Sequence, residues 1–263
     1  RKESSAASDV YKRQVEDIVD NAEKSILQVT KDDRKGGFVP VGEAVHQSLE
    51  NITRQAQNHE PITGLPTGFA GLDSFTTGLQ KGNLVIVAAR PSMGKTAFVL
   101  NIAKNISLSH ARKTVAFFSL EMGRDELVHR LLSSTALIDS QRLKTGRIQG
   151  EKEWLNLSKA ASVFMEAPLY IDDTPGVTVS QIRSKCRRLK AEKGLDVVII
   201  DYLQLMTGRN SRYSESRQQE ISEISRSLKS LARELNVPVI ALSQLSRGPD
   251  AVSYTHLTLP TTP

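Results

Sequence analysis

Five short apolar runs, each uninterrupted by polar residues until its end, most constrain how this chain can fold. They are LVIVAA at 84–89, VAFFSL at 115–120, LYIDD at 169–173, VVIID at 197–201 and VIALSQ at 239–244. Continuous rather than alternating runs mark strands covered on both faces, as in parallel sheets. Between them the apolar residues recur at spacings of three and four, predicting helices near 95–108, 124–138, 151–164, 179–193 and 216–235. The last of these places Ile221, Ile224, Leu228, Leu231 and Leu235 on one face. Strand and helix in alternation predict an α/β fold, with a mostly parallel central sheet flanked by helices. Ligands of such sheets sit at the carboxyl ends of the strands. Aromatic residues are only 5% of the chain, so the core must be aliphatic.

The 263 residues allow one large domain and an appendage. Val15, Ile18, Val19, Ala22, Ile26 and Val29 share one helical face over 15–29, followed by a charged linker, KDDRKGG. A second helix is expected over 41–56, using Val41, Val45, Leu49 and Ile52. Pro61, Gly64, Pro66 and Gly68 then end regular structure. The polar, unpatterned stretch 1–14 and the Thr- and Pro-rich stretch 251–263 read as foreign or disordered flanks. The expected layout is therefore a flank over 1–14, a helix and connecting segment over 15–60, the sheet domain over 61–250 and a tail over 251–263.

Cys186 is the only cysteine, which excludes a disulfide framework and a multi-cysteine zinc site. There is no apolar run of about 18 residues or more, the length a membrane span needs. No secretory signal opens the chain, and a cytoplasmic location is expected. The net charge of +6 permits an anionic partner without requiring one.

The sharpest motif is Ala89-Arg90-Pro91-Ser92-Met93-Gly94-Lys95-Thr96, with Ala97 continuing into the helix. It follows the first predicted strand and opens the first predicted helix, the context a phosphate-binding loop needs. Backbone N–H groups there point at phosphate. Lys95 brings a cation to the β- and γ-phosphates, and Thr96 offers its hydroxyl to Mg²⁺. ATP and Mg²⁺ are the expected ligands. Asp201, at the end of VVIID, is the carboxylate expected on the Mg²⁺ shell. Glu121, just past VAFFSL, reads equally as a general base on water or as a helix N-terminal charge. Gln244, at the end of the last strand, reads as a γ-phosphate contact or as a polar residue leaving a sheet. Asp172 and Asp173 read as turn and cap residues for the TPG that follows.

The stretches LPTGFAGLD at 65–73, ARPSMGKTA at 89–97, FFSLEM at 117–122, IDDTPG at 171–176, IIDYLQLM at 199–206, RQQEISEISRSLKSLA at 217–232 and NVPVIALSQLSR at 236–247 resemble, in order and register, the bacterial replicative hexameric DNA helicases of the DnaB family. The likeness covers about 15–249 and lies in that family's C-terminal ATPase domain. It implies a RecA-like P-loop NTPase preceded by a linker helix, here 15–29, that docks on a neighbouring subunit. It implies the catalytic glutamate for Glu121 and the γ-phosphate sensor for Gln244, and adds Lys95 to the catalytic set. It implies ATP hydrolysis coupled to movement on single-stranded DNA, a homohexamer, and primase and helicase-loader partners. The family's pattern is expected to stop near residue 249, ahead of a DNA-contacting loop and the basic residues that reach a neighbour's ATP site. A recombinase of the same fold and a catalytically weak ATP-binding module are the alternatives.

Two basic segments bear on DNA. The helix 179–193 carries Arg183, Lys185, Arg187, Arg188, Lys190 and Lys193. It reads first as a solvated outer face, with phosphate contact as the alternative. The loop 207–214 offers Arg209 and Arg212 as DNA contacts and Tyr213 as a stacking residue, against a plain surface loop.

Overall fold

The computed structural model describes residues 40–58, 62–206 and 217–245. The helix expected over 15–29, the loop 207–214 and both flanks lie outside the described residues. The chain divides between Glu60 and Pro61 into two compact units. In the first, helix α1 spans Val41–Asn58, with the Val41, Val45, Leu49 and Ile52 stripe along one side.

The second unit opens with a short helix, α2 (Ala70–Thr76), which the broken pattern of 61–68 does not announce. Its anchor is the buried Asp73, whose carboxylate accepts from the Thr67 N–H and hydroxyl and from the Gly68 N–H. Then follow β1 (Leu84–Ala89), α3 (Lys95–Ser107), β2 (Val115–Ser119), α4 (Arg124–Ala136), α5 (Ser140–Lys144), α6 (Gly150–Met165), β3 (Leu169–Asp172), α7 (Val179–Lys193), β4 (Val197–Asp201), a 3₁₀ turn (Leu203–Leu205), α8 (Arg217–Leu235) and β5 (Val239–Gln244). The expected helix 124–138 is shorter than its apolar pattern. Leu137 turns left-handed, and Asp139 then caps the separate helix α5 by accepting from the Gln141 and Arg142 N–H groups.

The five strands form one sheet in the order β1-β5-β4-β2-β3, with every pairing parallel. Side chains alternate between faces along each strand. One face, including Val197, Ile199, Ile240 and Leu242, packs with Val99, Ile102 and Ile106 of α3 and Leu127 and Leu131 of α4. The other, including Val198, Ile200 and Ala241, packs with Ile182 and Cys186 of α7 and Leu228 and Leu231 of α8. Full burial of each such aliphatic side chain contributes about 1.5–3 kcal/mol. The runs of β2 and β4 are buried at every position, as their continuous apolar character requires. At β1 burial alternates instead, leaving Ile86 and Ala88 exposed, because β1 is an outer strand of the described sheet.

The basic helix α7 starts with a capping box between Thr178 and Gln181. Arg187, Arg188, Lys190 and Lys193 are exposed, as the solvated-face reading expects, but four of the six cations also have partners on neighbouring elements. Arg183 and Arg187 both pair with Glu234 of α8, and Lys190 donates to the Leu235 carbonyl. Lys185 pairs with Asp172 of β3 at 2.5 Å. These cations tie α7 to its neighbours.

Candidate nucleotide-binding and catalytic site

Parallel strands deliver their carboxyl ends to one edge of the sheet, and four of them bring the sequence-predicted residues there. Ala89 and Gln244 are register partners on β1 and β5. Ser119 and Asp201 are partners on β2 and β4, which places Glu121 just beyond Asp201.

The loop from Ala89 to Thr96 folds tightly into α3. Ser92 and Gly94 both take left-handed backbone, with φ of 62° and 81°. Among the described residues, and apart from its chain neighbours, nothing lies within 4 Å of a Cβ built on Gly94. The glycine therefore answers a demand of conformation and not of space within the protein. Gly94 is the N-cap of α3, so the N–H groups of Lys95, Thr96 and Ala97 belong to the unpaired first turn of a helix. The Lys95 ammonium lies over the same loop, donating to the Ala89 carbonyl at 3.0 Å and the Arg90 carbonyl at 3.3 Å.

The Thr96 hydroxyl donates to Asp201 Oδ2 at 2.7 Å. Asp201 is buried, and its other oxygen, Oδ1, is buried without a hydrogen-bond partner among the described residues. Burial raises the Asp201 pKa above the usual carboxylate range. The Thr96 hydrogen bond opposes the rise, the Glu121 charge adds to it, and Lys95 and Arg130 oppose it. A buried carboxylate with an orphaned oxygen, beside a hydroxyl, is an oxygen donor set suited to a hard divalent cation.

Glu121 itself is exposed, on a turn that three interactions hold in place. The Leu120 N–H donates to the Asp201 carbonyl at 2.7 Å. The hydroxyl of buried Ser119 donates to the Met122 carbonyl at 2.6 Å. Asp173 accepts from the Arg124 N–H at 3.1 Å and pairs with the Arg124 guanidinium, capping α4. Asp173 thus serves α4 rather than the TPG turn, while Asp172 does cap that turn through the Thr174 N–H and hydroxyl. Sequence reasoning missed Ser119, whose only signal is a hydroxyl closing an apolar strand. It also missed Gln204, whose carboxamide bonds to Ser243 and Gln244.

Cys186 is buried in the core between α7 and the sheet. Burial, helped by the Asp172 charge, pushes its thiol up to about 12.

The model of the DnaB-like helicase C terminal domain matches residues 64–256. The chain belongs to the DnaB-like helicase C-terminal domain family. The match runs past residue 249, where the sequence pattern was expected to stop, and enters the 251–263 segment. The replicative DNA helicase DnaC of Bacillus subtilis (strain 168) is 50% identical over 250 residues, covering 94% of this chain and 54% of the relative. The replicative DNA helicase DnaB of Geobacillus stearothermophilus is 49% identical with the same coverage. The chain thus spans about half the length of these curated relatives. Among solved structures, the ATPase domain of G40P superposes with a TM-score of 0.73 at 42% identity, over 80% of this chain and 73% of that one. A DnaB-like replicative helicase, described together with its interactions with primase, superposes with a TM-score of 0.70 at 38% identity, over 89% of this chain and 57% of that one.

Proposed function

We propose that this DnaB-family chain is the ATP-hydrolysing motor of a replicative DNA helicase, converting ATP turnover into movement along single-stranded DNA and separation of the duplex. The observation that carries the reading is the Thr96–Asp201 hydrogen bond, which joins the phosphate-binding loop to a buried carboxylate with an orphaned oxygen.

The loop from Ala89 to Ala97 receives the triphosphate on helix-terminal N–H groups. Lys95 exchanges its loop carbonyls for the β- and γ-phosphate oxygens. Thr96 and Asp201 are the residues that would hold Mg²⁺, which supplies neutralisation of charge on those oxygens when bound. Glu121 takes a proton from water as its oxygen attacks the γ-phosphorus. The bond from that phosphorus to the β,γ-bridging oxygen breaks, leaving ADP and inorganic phosphate. Removing such a base costs roughly 10²–10⁴ in rate, or about 3–5 kcal/mol of barrier. Gln244 lies beside the first residue of the loop and contacts the γ-phosphate, so its surroundings differ before and after hydrolysis.

Single-stranded DNA as the track, a homohexamer as the working form, and primase and a helicase loader as partners belong to the same proposal. So does a cytoplasmic location. Support comes from the family, and for primase from the solved relative described with it. The test is phosphate release from ATP with and without Mg²⁺, together with a fork-unwinding assay. Release that requires Mg²⁺ and Lys95 supports the motor reading. Release unchanged in Lys95→Ala contradicts it.

A further inference from the structure

The ladder between β4 and β5 ends at the pair Ile200 and Ala241, whereas the ladder between β1 and β5 continues to Ala89 and Gln244. The last three residues of β5 therefore run on without a strand on the β4 side. A residue in a strand points its N–H and C=O to the same side. At Gln244 both point to the side that β4 has left, and the Gln204 carboxamide meets them there. Gln204 Oε1 accepts from the Gln244 N–H at 3.3 Å, and Gln204 Nε2 donates to the Gln244 carbonyl at 3.1 Å. The same nitrogen donates to the Ser243 hydroxyl at 3.0 Å. A side-chain amide thus reproduces the pairing of a peptide group. Gln204 is held at this spot by its neighbours: Leu203 and Met206 are 1% and 2% exposed, locked in the core formed with α8.

We infer that Gln204 is a positioning residue for Gln244, standing in for the missing strand so that Gln244 stays in register beside Ala89. Resting on the proposed role of Gln244 at the γ-phosphate, this ties that role to the turn three residues past Asp201. A displacement of the turn reaches Gln244 through two hydrogen bonds and no intervening side chain. Alternation along β5 puts Gln244 on the face of Ile240 and Leu242, the α3 face, so a register slip would aim its amide away from the loop.

The experiment compares the affinity of the chain for β,γ-imido-ATP and for ADP by titration calorimetry. Wild type prefers the triphosphate analogue. Gln244→Ala and Gln204→Ala each lower that preference by roughly 5- to 30-fold, and the double variant is no worse than either single one. Gln204→Met separates hydrogen bonding from bulk packing. Its side chain fills a similar volume but pairs with neither the Gln244 N–H nor the Gln244 carbonyl, so the preference is lost as it is in Gln204→Ala. Full preference in Gln204→Ala alongside loss in Gln244→Ala overturns the inference and leaves the role of Gln244 intact. Full preference in Gln204→Met also overturns it. Full preference in Gln244→Ala overturns the role of Gln244 itself.

Discussion

The Thr96 hydroxyl donates to Asp201 Oδ2 at 2.7 Å across 105 residues of sequence. It is the point where the loop after β1 meets the end of β4, two strands away across β5. A buried carboxylate keeps its charge at a cost, and this hydrogen bond offsets part of it.

Replacing Thr96 by Val keeps the shape and removes the hydroxyl. Asp201 then loses the donor to Oδ2, and urea denaturation should show a loss of about 1–3 kcal/mol. Thr96→Ser should recover most of it. An unchanged denaturation midpoint in Thr96→Val would show that the bond contributes nothing to the fold.

Glu121→Gln should leave nucleotide affinity as it is and lower turnover by roughly 10²–10⁴. Affinity is spared because Glu121, on an exposed turn, is proposed to act on water and not on the bound nucleotide. Steady-state phosphate release, run beside a binding titration, checks both halves. Turnover at the wild-type rate would remove Glu121 from the chemistry.

The fold was legible because β2 and β4 are buried at every position, which keeps those runs apolar up to their last residues, Ser119 and Asp201, at the site edge. The site was legible where its chemistry is carried by neighbours in sequence, as in Ala89 to Thr96. It was less so where residues act across strands. Glu121 reads equally as a general base or a helix-terminal charge in the sequence, which does not show that the register of Ser119 with Asp201 sets it beside the end of β4. Asp173 was assigned to its own turn, because nothing in the sequence tells that Arg124, 49 residues earlier, offers a better-placed N–H. The pairing of the α7 cations was not legible for the same reason, since Glu234 lies on another helix. Gln204 was invisible, because its partner is a backbone group left open where one ladder stops before another.

The Asp172–Lys185 pair gives stability a pH dependence of definite sign. Burial raises the Asp172 pKa, but the Lys185 ammonium and the Thr174 hydroxyl and N–H outweigh it, and the net direction is down from 3.8. A depressed carboxylate contributes stability above its unfolded value and loses it as pH falls through the folded value. Lys185→Met should therefore cost about 1 kcal/mol at pH 7, both groups being partly exposed and screened. The difference from wild type should shrink below about pH 4. Denaturation midpoints at pH 7 and pH 3 test this, and a gap that widens in acid would reverse the sign.

Gly94→Ala should destabilise by roughly 1–2 kcal/mol, the cost of left-handed backbone for a residue with a Cβ. Space is not the obstacle, since among the described residues the added methyl meets nothing within 4 Å beyond its chain neighbours. Thermal unfolding measures the loss, and a crystal structure of the variant should show the loop shifted at this residue alone.

Lys95, Thr96 and Asp201 are proposed to form one Mg²⁺-nucleotide site, and equilibrium binding of β,γ-imido-ATP with and without Mg²⁺ tests this most directly. Wild type should bind about tenfold or more tightly with Mg²⁺, a difference of about 1.4 kcal/mol or more. Asp201→Asn should bind with no such gain, and Lys95→Ala should bind weakly in either condition. Wild-type binding indifferent to Mg²⁺, or equal affinity in Lys95→Ala, would contradict the assignment.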